Sequence, residues 1–341
     1  MNSSILRRSR RGLPIAAAAA AALVLAGCTA NSPSTSGSSG LYKGIRIDFV
    51  SGPLNDPTFP PMYAGAMQAG KDLGVKVKWI PIDEANIEQT SVTTMDTAIA
   101  DKPDAIVVGD FITSAVDPQI KKAIAAEIPV YVDQSGRDNW EADGAFGYIG
   151  PDPQKIGDVA GAELARQGAK SILCVNNIPD NPYLATVCAA TKEGARSKGA
   201  TSTVLNLAAA DNNDPTKNSA SIGAYLKTHP DIDGIMTLGP QHGNEASSGA
   251  KAAVPDRKIR IGVLGTNKAG LQAVKDGTLA FALDEQPYLD GYYGVLAAVQ
   301  YVKFGLHPIG QVVTGPHLIN SENIDQILKV AAKYPQVIGA S

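Results

Sequence analysis

Four histidines stand at His229, His242, His307 and His317. None has HExxH spacing or a cysteine partner in a zinc-ligating pattern. His242 follows a strand-like run, where it either lines a cleft or caps a helix. No GxSxG elbow or Ser-His-Asp arrangement is present to carry acyl chemistry. The adjacent acids Asp284 and Glu285 fall on opposite faces of an extended strand, which does not suit paired acid–base work. The stretch from Gly65 to Lys71 fits GxxxxGK, but residue 72 is Asp where magnesium needs Ser or Thr. That stretch also lies within a helical period rather than between strand and helix. Three cysteines are too few for a disulfide scaffold or a zinc cluster. The chain therefore reads as a non-enzyme that needs no cofactor and no metal.

Recognition is the chemistry that remains. Residues rich in hydroxyl-binding groups follow the apolar runs: Asn55 to Phe59, Gly109 to Phe111, Asp133 to Gln134, Asn176 to Asn181, Gly239 to His242, Gly265 to Asn267 and Asp284 to Tyr288. They are polar, acidic and aromatic, and almost free of lysine and arginine. Such a set suits a neutral, hydroxylated small ligand better than a phosphate or a carboxylate.

The elements that must position them alternate. Strands are expected at Ile45 to Val50, Val75 to Ile80, Asp104 to Gly109, Pro129 to Val132, Ser171 to Val175, Ser202 to Leu207, Gly234 to Leu238, Ile259 to Leu264 and Leu279 to Leu283. Helical periods fill the gaps, the clearest at Pro60 to Leu73, Asn86 to Ala100, Ala115 to Ala126, Pro153 to Gln167, Pro182 to Lys198, Pro215 to Thr228 and Pro287 to Phe304. Continuous apolar strands between helices mean α/β architecture with parallel sheets covered on both faces. The 341 residues exceed one comfortable core. The irregular stretch from Gln134 to Gly150 is the seam between two doubly wound lobes. In such sheets ligands bind beyond the carboxyl ends of the strands. The tail from Asn320 onward reads as one helix and a frayed end, with no assigned role.

The first forty residues read as an address. Arg7, Arg8, Arg10 and Arg11 precede an apolar, uncharged run from Leu13 to Gly27. As a helix that run rises about 22 Å, short of a hydrocarbon core of about 30 Å, so it is a signal segment rather than a span. Leu25-Ala26-Gly27-Cys28 resembles the bacterial lipobox, whose cysteine is acylated; ordinary cleavage after small residues is the other reading. The Ser/Gly/Pro/Thr-rich stretch from Thr29 to Gly40 reads as a tether. Residues 1–27 would be the signal, and 28–40 the lipidated Cys28 with its tether. The protein would then work outside the cytoplasmic membrane, held to it only by the lipid. Losing the four arginines leaves 26 bases against 33 acids, a net charge of −7. An acidic body excludes nucleic acid as the partner. Cys174 and Cys188 in an exported chain are expected to be oxidised, two buried free thiols being the alternative.

The motifs, in order, resemble the ribose-binding-like branch of the type I periplasmic binding proteins, the sugar receptors of ABC importers. The resemblance rests on Leu54-Asn55-Asp56-Pro57-Thr58-Phe59, on Ile128 to Asp133, on Leu173-Cys174-Val175-Asn176 with Cys188, on Asp214-Pro215-Thr216, on His229 to Gly234, and on Asp284-Glu285-Gln286-Pro287-Tyr288 with Gly291-Tyr292. It covers Leu41 to Ile319. It implies two lobes joined by a three-strand hinge, closing on ligand: 41–150 plus 287–315, and 151–286 plus 316–341. It also pairs Cys174 with Cys188. By resemblance Asp56 binds sugar, Phe59 stacks on the ring, Asp133 accepts hydroxyl hydrogen bonds and Gln286 is a hinge-side amide. Asp56 as a helix cap, Phe59 as core, Asp133 as a seam cap and Gln286 as a turn residue remain open alternatives. Asp110, Phe111 and Asp284 join the set by position.

Three departures bear on the ligand. Val187 stands where the family has Arg, Leu264 where it has Asp, and Gln134 where many members have Arg. Asn177, Asn181, Tyr183, Gln241 and Asn267 form an alternative polar set. Trp140 at the seam either stacks on ligand or covers the hinge. The expectation is a receptor, monomeric by resemblance, for a neutral polyhydroxylated solute other than ribose, handed to an ABC permease. A sensory binding protein and a non-sugar solute receptor are the alternatives.

Overall fold

Apolar runs of four to six residues build the first half of the chain: β1 (Arg46–Ser51), β2 (Lys76–Pro81), β3 (Ala105–Gly109), β4 (Val130–Asp133) and β5 (Tyr148–Pro151), separated by α1 (Phe59–Leu73), α2 (Ile87–Asp101) and α3 (Thr113–Ala125). The computed structural model describes residues 40–83 and 86–339. The expected signal, Cys28 and nearly all of the tether lie outside them. The second half repeats the beat: α4 (Pro153–Arg166), β6 (Ser171–Asn176), α5 (Pro182–Arg196), β7 (Thr201–Asn206), α6 (Pro215–Thr228), β8 (Gly234–Leu238), α7 (His242–Ala253), β9 (Arg260–Leu264), α8 (Lys268–Lys275) and β10 (Phe281–Asp284). The chain closes with α9 (Pro287–Phe304), β11 (Gln311–Thr314), β12 (His317–Ile319) and α10 (Ile324–Lys333).

Two sheets result, ordered β11-β5-β4-β3-β1-β2 and β12-β10-β9-β8-β6-β7. All pairings are parallel except β10 with β12. The architecture is α/β, as the alternation requires. Central strands such as β3 (Ala-Ile-Val-Val-Gly) are buried at every residue, because helices cover both faces. The edge strands β2 and β7 carry Lys and Thr outward, which discourages pairing with another chain. Helix starts are set locally. Asp152, Asn181, Asp214 and Asn267 each accept a first-turn backbone N–H, and Pro follows the first three directly.

The chain crosses between sheets after β5, after β10 and between β11 and β12. Gly315 sits in the last crossover at φ +46°, where a Cβ would lie 2.8 Å from the Asp284 carbonyl oxygen. Each sheet has a helix pair brought close by glycine. A Cβ on Gly65 would stand 2.0 Å from Tyr288 O, pressing α1 on α9, and one on Gly161 would stand 2.0 Å from Thr191 O, pressing α4 on α5. Cys174 and Cys188 are bonded across β6 and α5, with Cα atoms 5.6 Å apart. In the chain-entropy model a loop of this size contributes about 3 kcal/mol.

The seam is less irregular than its composition implies. Its end is β5, and β11 and β12 have no counterpart among the expected strands. These strands are only three or four residues long, and β5 ends in Gly-Pro, so they carry no usable period. Among the described residues, no helix is long and apolar enough to cross a membrane.

Candidate functional site

The loops at the carboxyl ends of both sheets meet in a cleft holding about 610 Å³ of empty space, part of it open to solvent. From the first sheet come Gly52, Asp56, Thr58 and Phe59 after β1, Ile82 and Ile87 after β2, Phe111 after β3 and Gln134 after β4. From the second come Asn177, Ile178, Asn181, Tyr183 and Leu184 after β6, Asn212 after β7, Leu238, Gly239 and Gln241 around the end of β8, Leu264 on β9 and Glu285 after β10. None of these is lysine or arginine.

Phe59 and Phe111 meet edge to face at 5.7 Å between centroids. Gly52 permits this, since a Cβ there would stand 2.0 Å from the Phe59 ring. Both rings are nearly buried, so they serve core and cleft together. Asp56 Oδ1 accepts from Thr58 N at 2.8 Å, which fixes the turn into α1. Asn181 caps α5, and its Oδ1 also accepts from Ser135 Oγ at 3.3 Å, a bond between the two sheets' loops. The side-chain oxygens of Gln134, Asn177 and Gln241 are buried and have no protein partner. Such groups are costly to leave unsatisfied, so they point to a ligand bearing hydrogen-bond donors.

Glu285 is buried, and its carboxyl is pushed up to about 7 by desolvation, partly offset by the Tyr183 hydroxyl. Tyr183 Oη donates to Glu285 Oε1, and burial beside that charge raises the Tyr183 phenol well above its ordinary range. Behind the wall, His242 is buried and lies against Glu245 and Asn212.

The structure brings together Asp56, Phe59, Phe111, Gln134, Asn177, Asn181 and Gln241 of the expected set. The others lie elsewhere. Asp110 stands with Asp117 and Asp143, their oxygens within 4.8 Å of one another. Desolvation, then the Asp117 charge, pushes Asp110 up to about 8. Asn139 donates to Asp117 at 3.0 Å and Lys121 pairs with Asp143 at 2.9 Å. Asp133 is fully buried, with its pKa driven up by desolvation, and is not among the cleft-lining residues. It adds to the upward shift of Asp290, whose Oδ1 accepts from Thr314 Oγ1 at 2.5 Å. Asn267 caps α8, donates to Pro240 O and borders a separate open groove. Asp284 accepts from Gln286 N. Gln286 adopts φ +63° at the start of α9, and its Oε1 accepts from Gly315 N. The cleft position is one residue earlier, at Glu285. Thr58 lies in the expected stretch after β1, whereas Asn212, beyond β7, lies in none of the expected stretches. Of the departures, Gln134 and Leu264 line the cleft, Leu264 from the same second-sheet core that holds Val187, which does not reach it. Trp140 belongs to the first-sheet core rather than to the cleft.

Residues 47–306 match the model of the periplasmic binding protein domain. The chain belongs to this family, as a type I member of the ribose-binding kind. It is a substrate-binding protein of transport, not an enzyme, and the family acts outside the cytoplasmic membrane. It is similar to the xylose/arabinose-binding protein XylF of Sulfolobus acidocaldarius, with 25% identity over 85% of this chain and 74% of that one. It is similar to the ribose import binding protein RbsB of Bacillus subtilis, with 26% identity over 76% of this chain and 82% of that one. Among solved structures, a carbohydrate transporter from Acidothermus cellulolyticus in complex with myo-inositol superposes with a TM-score of 0.77 and 27% identity, covering 85% of this chain and 98% of that one.

Proposed function

We propose that this protein captures a neutral polyhydroxylated solute, a monosaccharide, sugar alcohol or cyclitol, by closure of two lobes about the crossovers, and delivers it to an ABC permease. The observation that carries the reading is the set of buried, unpartnered amide oxygens of Gln134, Asn177 and Gln241 in a cleft lined by no lysine or arginine. Acceptors without cations call for hydroxyl donors, and the Phe59 and Phe111 rings call for a C–H face beside them. The relatives named for pentoses and the neighbour bound to myo-inositol support the same class. With Gln134 and Leu264 where the family's arginine and acid stand, ribose is not the preferred solute.

The lobes are read as 41–150 with 287–315 and as 151–286 with 316–341. Asp56, Phe59, Phe111, Gln134, Asn177, Asn181 and Gln241 are assigned to the ligand, joined by Tyr183, Asn212 and Glu285. Asp133 reaches the ligand only if its side chain turns toward the cleft on binding. Cys28 is proposed as the lipid anchor that holds a monomeric receptor to the outer face of the cytoplasmic membrane.

Thermal unfolding of the chain from Thr29 onward, with pentoses, hexoses, sugar alcohols and cyclitols in turn, tests the reading. Ligand at a hundred times its dissociation constant adds about 2.7 kcal/mol. A rise confined to one polyol class is expected. A folded protein shifted by no polyol, or shifted most by a charged solute, overturns it.

A further inference from the structure

A chain of hydrogen bonds runs inward from the second-sheet wall of the cleft. Asn177 Nδ2 donates to Asn212 Oδ1 at 2.7 Å. The same oxygen lies 3.1 Å from His242 Nε2. On the other side of the ring, Nδ1 lies 2.6 Å from Glu245 Oε2. His242 is wholly buried and Glu245 nearly so. Gly239, at φ +135°, makes room for the ring, since a Cβ there would stand 2.7 Å from His242 Cδ2.

A carboxylate at one ring nitrogen and an amide oxygen at the other are both acceptors. Gln241 Nε2, a donor, lies farther from the same ring nitrogen, at 3.4 Å, than the Asn212 oxygen. The closer contact favours N–H on both nitrogens, an imidazolium paired with Glu245. Asn212 Oδ1 then receives two donors. The NH₂ of Asn177 is engaged inward, and its Oδ1, buried and without a protein partner, is left for the ligand. With a neutral ring the pattern reverses. Nδ1–H still donates to Glu245, and Nε2 carries a lone pair. Asn212 must turn its amide to donate to that lone pair. Asn177 must then turn to accept, which leaves an NH₂ toward the ligand.

We propose that His242, held by Glu245, is a specificity-determining positioning residue: through Asn212 it makes Asn177 an acceptor toward the cleft, so that the site selects a ligand hydroxyl that donates there. Glu245 and His242 touch no ligand themselves. The proposal rests on the solute-receptor reading for its ligand, and on the hydrogen-bond geometry for its mechanism.

Two measurements decide it. Long-range ¹H–¹⁵N spectra of His242 in the full, ligand-free chain are expected to show both ring nitrogens protonated. Glu245→Gln keeps the shape but drops the charge, and is expected to turn Nε2 into a lone-pair nitrogen. Affinity is read by calorimetry with myo-inositol, or with the first polyol that raises the melting temperature if myo-inositol does not. Glu245→Gln is expected to weaken binding about tenfold, as losing one buried hydrogen bond does. Asn177→Asp supplies an acceptor whatever the ring does. In the Glu245→Gln background it is expected to restore affinity to within about threefold, a non-additivity that general loosening of the fold does not produce.

A lone-pair Nε2 in the native protein overturns the relay, and that measurement needs no variant to fold. Unchanged affinity in Glu245→Gln, or no rescue by Asn177→Asp, overturns the specificity role. If no polyol binds at all, that role falls with the receptor reading. The ring signals still report the two-donor state separately, so the two failures are distinguishable.

Discussion

The two walls of the cleft are built from the same strand-loop-helix unit and differ in chemistry. The first-sheet wall presents Phe59, Phe111, Ile82 and Ile87, together with Asp56, Thr58 and Gln134. The second-sheet wall presents Asn177, Asn181, Asn212 and Gln241, with Tyr183 and Glu285 hydrogen-bonded to each other. The phenylalanine rings are on the first wall, whereas the unpartnered amide oxygens come from both, Gln134 from the first and Asn177 and Gln241 from the second. A solute with a C–H face and a hydroxyl edge, as proposed above, is expected to lie with its C–H face toward the phenylalanines. The scaffold tolerates this because loop residues beyond the strand ends do not hold the sheets together. What does hold them, buried strands and glycine-packed helix pairs, is alike in both halves.

The largest effect is expected at the aromatic wall. Phe59→Ala removes a nearly buried ring, costing about 3–5 kcal/mol of stability, and abolishes measurable binding. Phe59→Leu refills the space, and calorimetry should then find a folded protein with weakened affinity. Native affinity in Phe59→Leu would break the contrast between walls.

Next comes the bond found only in the second half. Replacing Cys174 and Cys188 together by serine is expected to lower stability by about 3 kcal/mol, read from denaturant unfolding. Affinity for the solute should change little, because the bond ties β6 to α5 behind the wall. A large loss of affinity with unchanged stability would reverse that assignment.

A smaller effect is expected for one acceptor. Gln241→Ala should weaken binding about tenfold and leave the melting temperature of the ligand-free protein nearly unchanged. Equal binding would remove Gln241 from the polar wall.

The smallest effect on binding is expected at Asp110, which lies outside the cleft. Its carboxyl is raised to about 8, so the folded chain keeps a proton that the unfolded chain releases above the ordinary carboxylate range. Its contribution is therefore present below that range and is lost as pH rises through about 8. Asp110→Asn should raise the melting temperature near pH 8, converge with the native protein in acid, and leave affinity unchanged. Lost affinity would return Asp110 to the ligand.

Much of this was legible along the chain. The alternation of apolar runs with helical periods implies parallel sheets, and the seam divides them. Cleft residues such as Asp56, Phe59, Gln134 and Asn181 follow strands directly, so the rule that ligands lie beyond strand ends finds them. Sites set by local register were less legible. Gln286, expected as a hinge-side ligand amide, has its Oε1 engaged by Gly315 N of the crossover, and the residue before it, Glu285, lines the cleft. Asp110 follows β3 and Asp133 ends β4, yet neither is among the cleft-lining residues.

By itself the sequence determined the α/β class, the two-sheet division, the lack of catalytic constellations and a site rich in hydroxyl-binding groups. These follow from residue type and period, which are local properties. Only the tertiary structure decided that, of two residues in one core, Leu264 also reaches the cleft while Val187 does not, and that Asn212 and His242 meet across thirty positions of chain. Those outcomes depend on packing between elements distant in sequence, and no local pattern encodes which of two buried faces a side chain will enter.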